Sequence, residues 1–430
     1  MSPNLSHVNN PKSKARRITK FKLTFPTIPS LLKEPRKFDL YEKQGNHDVM
    51  VVTFTSTGQT WFETVQTGVP VQFAWNQGNL KRTWYGYVSS ISKTVAPSQR
   101  ERLMEVHCIG SSFPLKERAT KTFTDVTVSE VAAIIAQENG LGFVGDKDSR
   151  RFSQLVIAGH SYWEWLQEQA KRIGFAMFVS ENTLYFREFD SIINQNVTSI
   201  PTLYSGNVSS TYRGQYFDRT LDEFQVMKSE YAENSDHLRT QKNLAGVNPL
   251  TGEMVSSVSS PGDLGDKLRS NVSDVLFSEY RTDQVVLSNK DAESASKGAA
   301  SMARFNLPAR VKCAGDPRFR PYYPVRILGT GNLTDGYWVI KEAHHIFQKF
   351  GDYNVRMTVV TDGTGANNVT NFRGNENRDV STVNISERLD FPMHQLTKDI
   401  KLIASAPGFL PGEQGFKRTP ALWQTVTRKP

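Results

Sequence analysis

Hydrophobic positions in the first quarter of the chain recur with a period near two. KFDLYEK (37–43), VMVVTFTS (49–56), PVQFAW (70–75), TWYGYVSSISKTV (83–95) and RLMEVHCIG (102–110) alternate or run apolar, and they are rich in β-branched and aromatic residues. Gly45-Asn46, Gly58, Gly68 and residues 76–79 punctuate them. Short strands at this spacing predict a small barrel or sandwich. The period then changes. In TVSEVAAIIAQENG, Thr127 and Glu130 form a capping box ahead of Val131, Ile134 and Ile135, and Gly140 ends the helix. HSYWEWLQEQAKRIG repeats that grammar. Ser161 and Glu164 cap; Trp163, Leu166, Ala170 and Ile173 share a face; Gly174 stops the helix. AMFVSENTLYF follows as a hairpin turning at residues 180–183.

SSTYRGQYFDRT (209–220) and DEFQVMKS (222–229) add strands, and a polar stretch, residues 232–274, reads as a loop or insertion. Ser288 and Asp291 cap a third helix over residues 288–305, whose Ala292, Ala295, Ala299 and Ala303 invite close approach of another backbone. Strand-rich sequence resumes at residue 311, and after Gly363 the chain turns polar. The predicted class is α+β, mostly β. The segments are a basic arm (1–18), a first tube-like β-barrel (19–120) and a helix–helix–hairpin domain (121–190). Strands contributing to a second barrel (191–231), a polar insertion (232–284) and a helix plus second β-barrel (285–362) follow. An extended C-terminal tail (363–430) completes the chain, with Phe409, Leu410 and Trp423 as apolar anchors for a partner.

One order of features occurs twice. Pro70-Val71, Gly78-Asn79-Leu80, Gly86-Tyr87-Val88 and Leu103-Met104-Glu105-Val106 are echoed far downstream. The echo runs Pro324-Val325, Gly331-Asn332-Leu333, Gly336-Tyr337-Trp338-Val339 and Arg356-Met357-Thr358-Val359. In each, proline enters an edge-like strand, glycine turns, and an aromatic strand returns. A chain with two similar modules presents six of them when three copies close a ring.

Composition narrows the chemistry. No run approaches the roughly 20 apolar residues of a membrane span, and the basic N-terminus lacks the apolar core of a secretory signal. Synthesis and assembly in the cytoplasm are expected. Cys108 and Cys313 sit in strand contexts and read as buried free thiols. The net charge of +9 owes much to residues 12–22 and to Lys417, Arg418, Arg428 and Lys429. No recognition helix, zinc finger or RNA-binding signature accompanies it, so specific nucleic-acid binding is not expected. His344-His345 has only Glu342 nearby, too few ligands for a metal, and a strand sends the two rings to opposite faces. Gly329-Thr330-Gly331 is a turn rather than a phosphate loop. Asp146 and Asp148 read as loop carboxylates; a glycosidase pair has no supporting residues. Ser161 is a helix cap rather than a nucleophile. Trp84, Tyr85 and Tyr87 alternate around a strand, leaving at least one for a neighbour. Trp163 belongs to the core, and Trp165, on another face, is the candidate for a domain interface. With Tyr337 and Trp338, these are the candidate structural and interface residues. No catalytic, cofactor or metal site is predicted.

The succession "CIG", "FTDVTVSEVAAIIAQENGL", "SYWEWLQEQAKRIGFAMFVSENTLYF" and "GDPRFRP…DGYWVIKEAHH" resembles the hub proteins of contractile phage tails. That family includes the central hub of T-even phages, late-control protein D and the hub part of type VI secretion spike proteins. The resemblance covers residues 20–362 and is tightest at 120–187. It implies a homotrimer in the virion tail baseplate, built around a channel with two tube-like barrels per chain. It further implies a pseudo-sixfold face that nucleates the tail tube protein and a threefold end that receives a central spike protein. Baseplate wedge or other hub proteins are the remaining implied partners, and genome DNA passes the channel without specific recognition. The chain lacks the repetitive needle of type VI spikes after Gly363, so a separate spike is expected. Alternatives are the hub of a non-contractile tail or secretion system and, in a different class, a tail-associated peptidoglycan hydrolase. A nucleic-acid binder acting through the basic arm is a third.

Overall fold

The computed structural model describes residues 20–26, 35–55, 65–77, 80–95, 102–148, 150–193, 200–205, 219–227, 240–248, 251–259, 277–281, 288–305, 307–331, 334–348 and 353–361. The basic arm, the tail with Phe409, Leu410 and Trp423, and most of SSTYRGQYFDRT lie outside these residues. The first elements are β1 (Lys20–Thr24), β2 (Lys37–Lys43), β3 (Val49–Thr55), β4 (Pro70–Gln77), β5 (Leu80–Val95) and β6 (Arg102–Gly110). A 3-10 turn (Phe113–Lys116) leads to β7 (Arg118–Thr127), α1 (Val128–Glu138), β8 (Gly142–Gly145) and β9 (Arg151–Ser161). Then come α2 (Tyr162–Ile173), β10 (Phe175–Ser180), β11 (Thr183–Glu188) and α3 (Phe189–Ile193). β12 (Thr202–Tyr204), β13 (Arg219–Val226), β14 (Thr240–Val247), β15 (Met254–Ser259) and β16 (Phe277–Arg281) precede α4 (Asn289–Arg304). The last elements are β17 (Leu307–Ala314), β18 (Pro324–Leu328), β19 (Gly336–Gln348) and β20 (Tyr353–Thr361). The fold is mostly β.

Two six-stranded units share one strand order. The first runs β1-β4-β5-β6-β3-β2; the second runs β12-β18-β19-β20-β17-β13 and closes into a barrel through β12–β13 pairing. Among the described residues β1 and β2 do not pair. Instead β2 pairs antiparallel with β19, from Lys37↔Gln348 to Lys43↔Glu342, so the first unit hands its edge to the second. Each long strand bends at a bulge in the same place, between Val88 and Ser90 in β5 and between Ile340 and Glu342 in β19. The register revises the repeat read from sequence. Val71 pairs Gly86 and Val325 pairs Trp338, so Gly86 corresponds to Trp338, not to Gly336. The glycines are local turn and packing devices: a Cβ on Gly86 would strike the Trp84 ring and the Ile109 carbonyl.

Alternation along these strands fills one core spanning both units. Its centre is aromatic: Phe38 and Phe73 from the first unit meet Phe347, at ring distances of 6.5 and 5.1 Å, and Phe347 stacks on Tyr353 at 4.2 Å.

The region between the units has its own core, containing Val131, Ile135, Trp163, Trp165, Leu166 and Phe186. Both capping boxes form as expected: Thr127 and Ser161 accept from the amides of Glu130 and Glu164, whose carboxylates return the bond. The hairpin turns at Glu181 and Asn182, both in the left-handed region at φ 50° and 66°, as a two-residue hairpin turn requires. The β7–β9 ribbon, which pairs Arg118 through Thr127 with Ser161 through Arg151, was not expected. Within the stretch read as a polar loop, β14 pairs with β15 and β16 as a three-stranded sheet. Its strands carry few core residues, and among the described residues one face is covered: Leu244 and Val255 pack on Ala292 and Ala295 of α4.

The close approach anticipated for the α4 alanines is made by Gly298. It touches Gly174, the left-handed C-cap of α2 at φ 72°, and a Cβ on Gly174 would lie 2.5 Å from Gly298 Cα. Gly298→Ala should stabilise an isolated helix by about 1 kcal/mol. Here overpacking outweighs that propensity, and urea unfolding is expected to show a net loss of roughly 1–2 kcal/mol.

Candidate functional site

The β2–β19 seam carries charge where the strand pattern calls for apolar side chains. Phe38, Leu40 and Glu42 share the inward face of β2; Ala343, His345 and Phe347 share that of β19; Arg82 lies two residues before Trp84 on β5. Glu42, Arg82 and His345 are all buried. Arg82 Nη1 donates to Glu42 Oε2 at 3.0 Å, Nη2 donates to Oε1, and Nη1 also reaches the Phe319 carbonyl at 3.3 Å. The forked geometry makes this a two-bond, charge-assisted pair. Glu42 Oε2 lies 3.1 Å from His345 Nε2, and His345 Nδ1 lies 2.8 Å from the Tyr353 hydroxyl. Burial alone would raise Glu42; Arg82 and His345 outweigh it and hold the carboxyl well below its ordinary range. Burial holds His345 below the usual imidazole value against the pull of Glu42.

A second buried clamp ties β4 to the second barrel. Arg219 on β13 donates to Gln77 Oε1 at 2.6 Å and to the Gly315 carbonyl at 3.2 Å, and it pairs with Asp316 at 3.2 Å. Arg318 grips the same carboxylate at 2.8 Å. Asp316, Arg318 and the buried Phe319 all come from GDPRFRP, which thus works as a wedge between the units. Arg320 from the same segment reaches Glu181 in the hairpin turn at 3.0 Å. His47, after β2, stacks on Trp163 at 4.2 Å and bonds Ser112 at 2.7 Å. Three parts of the chain meet in this region.

The outer face of the seam is polar. One cross-strand row reads Tyr41, His344, Arg356, Lys312, Glu223 across β2, β19, β20, β17 and β13. Tyr41 stacks on His344 at 4.0 Å. Asp39 bonds His344 at 2.9 Å and Lys37 at 2.7 Å, which offset its burial and lower its pKa. This face forms a concave cleft of about 550 Å³. The adjacent histidines do point to opposite faces, one into the seam and one onto this row.

Most of the aromatic candidates sit inside the chain. Trp84, Tyr87, Trp163, Trp165, Tyr337 and Trp338 are buried and Tyr85 is half-buried. Tyr87 packs near Phe113 of the 3-10 turn, and Trp338 donates its indole N–H to the Thr334 carbonyl at 3.0 Å. The tryptophan at the junction with the barrels is Trp163, through His47; Trp165 belongs to the inner core of its own region. Ser161 serves as the helix cap, and the adjacent His160 is exposed. Asp146 and Asp148 are not loop carboxylates in solvent. Both are buried, Asp146 against Arg187 at 3.3 Å and Asp148 against Arg150 at 3.5 Å. Among the described residues no cluster of three or more His, Cys, Asp or Glu could hold a metal, and Cys108 and Cys313 are buried free thiols. Glu42, Arg82, Gln77 and Arg219 were missed. The readable signal was charge at core parity within strands.

No protein-family model and no curated relative matches the sequence. Solved structures do match in fold. The prophage MuSo2 43 kDa tail protein from Shewanella oneidensis superposes with a TM-score of 0.56 at 12 % identity, over 81 % of this chain and 99 % of that one. The tail protein from Neisseria meningitidis MC58 gives a TM-score of 0.56 at 9 % identity, over 81 % and 98 %. The fold expected from the hub resemblance is therefore the fold of these tail proteins.

Two outcomes follow, one from the seam and one from the His47 contact with the helical region. Arg82→Ala strands Glu42 in the interior, and urea unfolding should show a loss of about 3–5 kcal/mol. His47 is held at about 4, below its ordinary 6.5, by burial and by Lys116. The unfolded chain therefore takes up a proton below pH 6.5 that the folded chain refuses, and stability falls as pH drops from 6.5 towards 4. Thermal melts of His47→Gln should lose part of that slope, the remainder belonging to groups such as His345.

Proposed function

We propose that this chain is a structural subunit of a contractile phage tail. Three copies form a baseplate hub whose ring adapts a threefold central spike to the sixfold tail tube and starts tube assembly. The observation that carries this reading is the doubled unit: two six-stranded bodies of one strand order, locked side by side in a single chain. Three such chains place six similar bodies about a threefold axis, which resolves a mismatch between threefold and sixfold partners without a sixfold gene product. The fold shared with two tail proteins supports the same reading. The work is geometric, and the buried charged and hydrogen-bonding groups inside the seam hold two bodies at one angle. Asp146 and Asp148, the carboxylates weighed for a hydrolase, are engaged by arginines, which speaks against that pair as a catalytic one. The partners on this reading are a second and third copy, a tail tube protein, a central spike and neighbouring baseplate subunits, with the virion tail as the site of action.

Light scattering of the purified full chain should give three times the chain mass. Electron-microscopic averages should show six similar lobes about a threefold axis. A stable monomer at high concentration overturns the proposal.

A further inference from the structure

A cavity of about 190 Å³ opens where the helical region meets the second barrel. Phe175, Phe189 and Val360 line it as buried apolar groups, and Met302 and Phe305 as half-buried ones. Two glutamines fix its polar wall: Gln44 Nε2 donates to the Ile340 carbonyl at 3.0 Å, and Gln167 Nε2 donates to the Gly45 carbonyl. The site is therefore held open by bonds of its own. Small-molecule sites run to roughly 300–1,000 Å³, whereas an apolar cavity of about 150 Å³ takes a single benzene ring. A large apolar side chain matches this size; a cofactor does not.

Lys171 and Lys341 also line the cavity, and both are exposed. The carboxylates nearest to them in sequence are engaged elsewhere, Glu168 by Arg172 and Glu342 by Lys43. Among the described residues neither ammonium has a carboxylate partner. An apolar hole beside two uncompensated cations suits an apolar side chain with a carboxylate close to it.

The chain itself carries such a segment. Val360 brings the end of β20 to the cavity, β20 ends at Thr361, and residues 362–430 follow. In VNISERLDFPM (383–393) every apolar residue but Pro392 takes an odd position, and the other even positions are polar. Odd positions share one face of an extended chain, which sets Leu389 and Phe391 beside Glu387, the one charge on that face. Pro392 favours extended backbone at Phe391. No other stretch of residues 362–430 alternates over this length. Leu389 follows Thr361 by 28 residues, and a chain reaches up to about 3.3 Å per residue, so the cavity is within range. A segment joined to its site needs less intrinsic affinity than a separate partner would.

We infer that residues 385–391 dock on this cavity in their own copy, Leu389 and Phe391 covering its apolar lining and Glu387 meeting Lys171 and Lys341. The latch sets the point from which Phe409, Leu410 and Trp423 reach towards a partner. It concerns a single copy and stands apart from the ring reading.

The first test is digestion of the native full chain with an arginine-specific protease. Cleavage after Arg388 should be at least tenfold slower than in a free peptide of residues 380–396, and equal rates overturn the inference. Leu389→Ser with Phe391→Ser should abolish the difference. Glu387→Lys should weaken it, and adding Lys171→Glu and Lys341→Glu should restore it. Protection that ignores these charges places the segment elsewhere and overturns the assignment. The second test is Lys171→Cys with Glu387→Cys, oxidised in the native state and run on a non-reducing gel. The expected product is a disulfide within one chain. Val156→Cys, exposed on the β7–β9 ribbon and outside the cavity lining, should give none with Glu387→Cys. No disulfide from the cavity pair, one formed only between chains, or equal yield from the ribbon pair overturns the inference.

Discussion

The pairing of β2 with β19 forces two carboxylate- and imidazole-bearing positions, Glu42 and His345, into an interior shared by both units. A buried carboxylate without compensation costs several kcal/mol. The forked pair with Arg82 from β5 supplies that compensation, and Tyr353 from β20 completes the chain of bonds. Four strands from two units must therefore be correctly placed at once. Apolar contacts alone would tolerate small rotations between the units, whereas a two-bond guanidinium–carboxylate pair with a histidine behind it does not. The clamp from Arg219 to Gln77 and Asp316 repeats the constraint at a second point, and two points define an angle.

That angle is what the proposed function uses. In the proposed ring, an error in the unit-to-unit relationship inside one chain would be carried into every copy. A seam held by directional bonds in a dry interior suits this demand better than a deformable one. The helix-and-hairpin region adds a brace, since Arg320 reaches Glu181 and His47 stacks on Trp163. The Gly174–Gly298 contact lets α4 lie close against the end of α2. Through Arg320 the wedge GDPRFRP supplies one end of that brace.

Much of this was legible residue by residue. KFDLYEK is β2 from end to end, both capping boxes form, and Gly174 takes the left-handed conformation that ends α2. The repeat was readable as an order of features, but its alignment was off by two residues because glycines mark turns and close contacts, whereas strand register is set by the bulge and the pairing. The sheet of β14, β15 and β16 was missed because a strand covered on one face needs few apolar residues. The described aromatics among the structural or interface candidates are mostly interior, since a large ring is equally suited to a core and to a partner's surface.

Periodicity, caps and turns are decided within a few residues along the chain, and for this protein they made most strands of the two units, the helices α1, α2 and α4 and the repeated order of features legible. Which edge meets which was decided only by tertiary structure. Glu42 and His345 are 303 residues apart in sequence, and nothing local distinguishes a glutamate bound for solvent from one bound for a buried guanidinium. Inward parity was visible at Glu42, Arg82 and His345 taken singly. Their meeting depends on β2 lying along β19, a choice made by the free energy of the whole core.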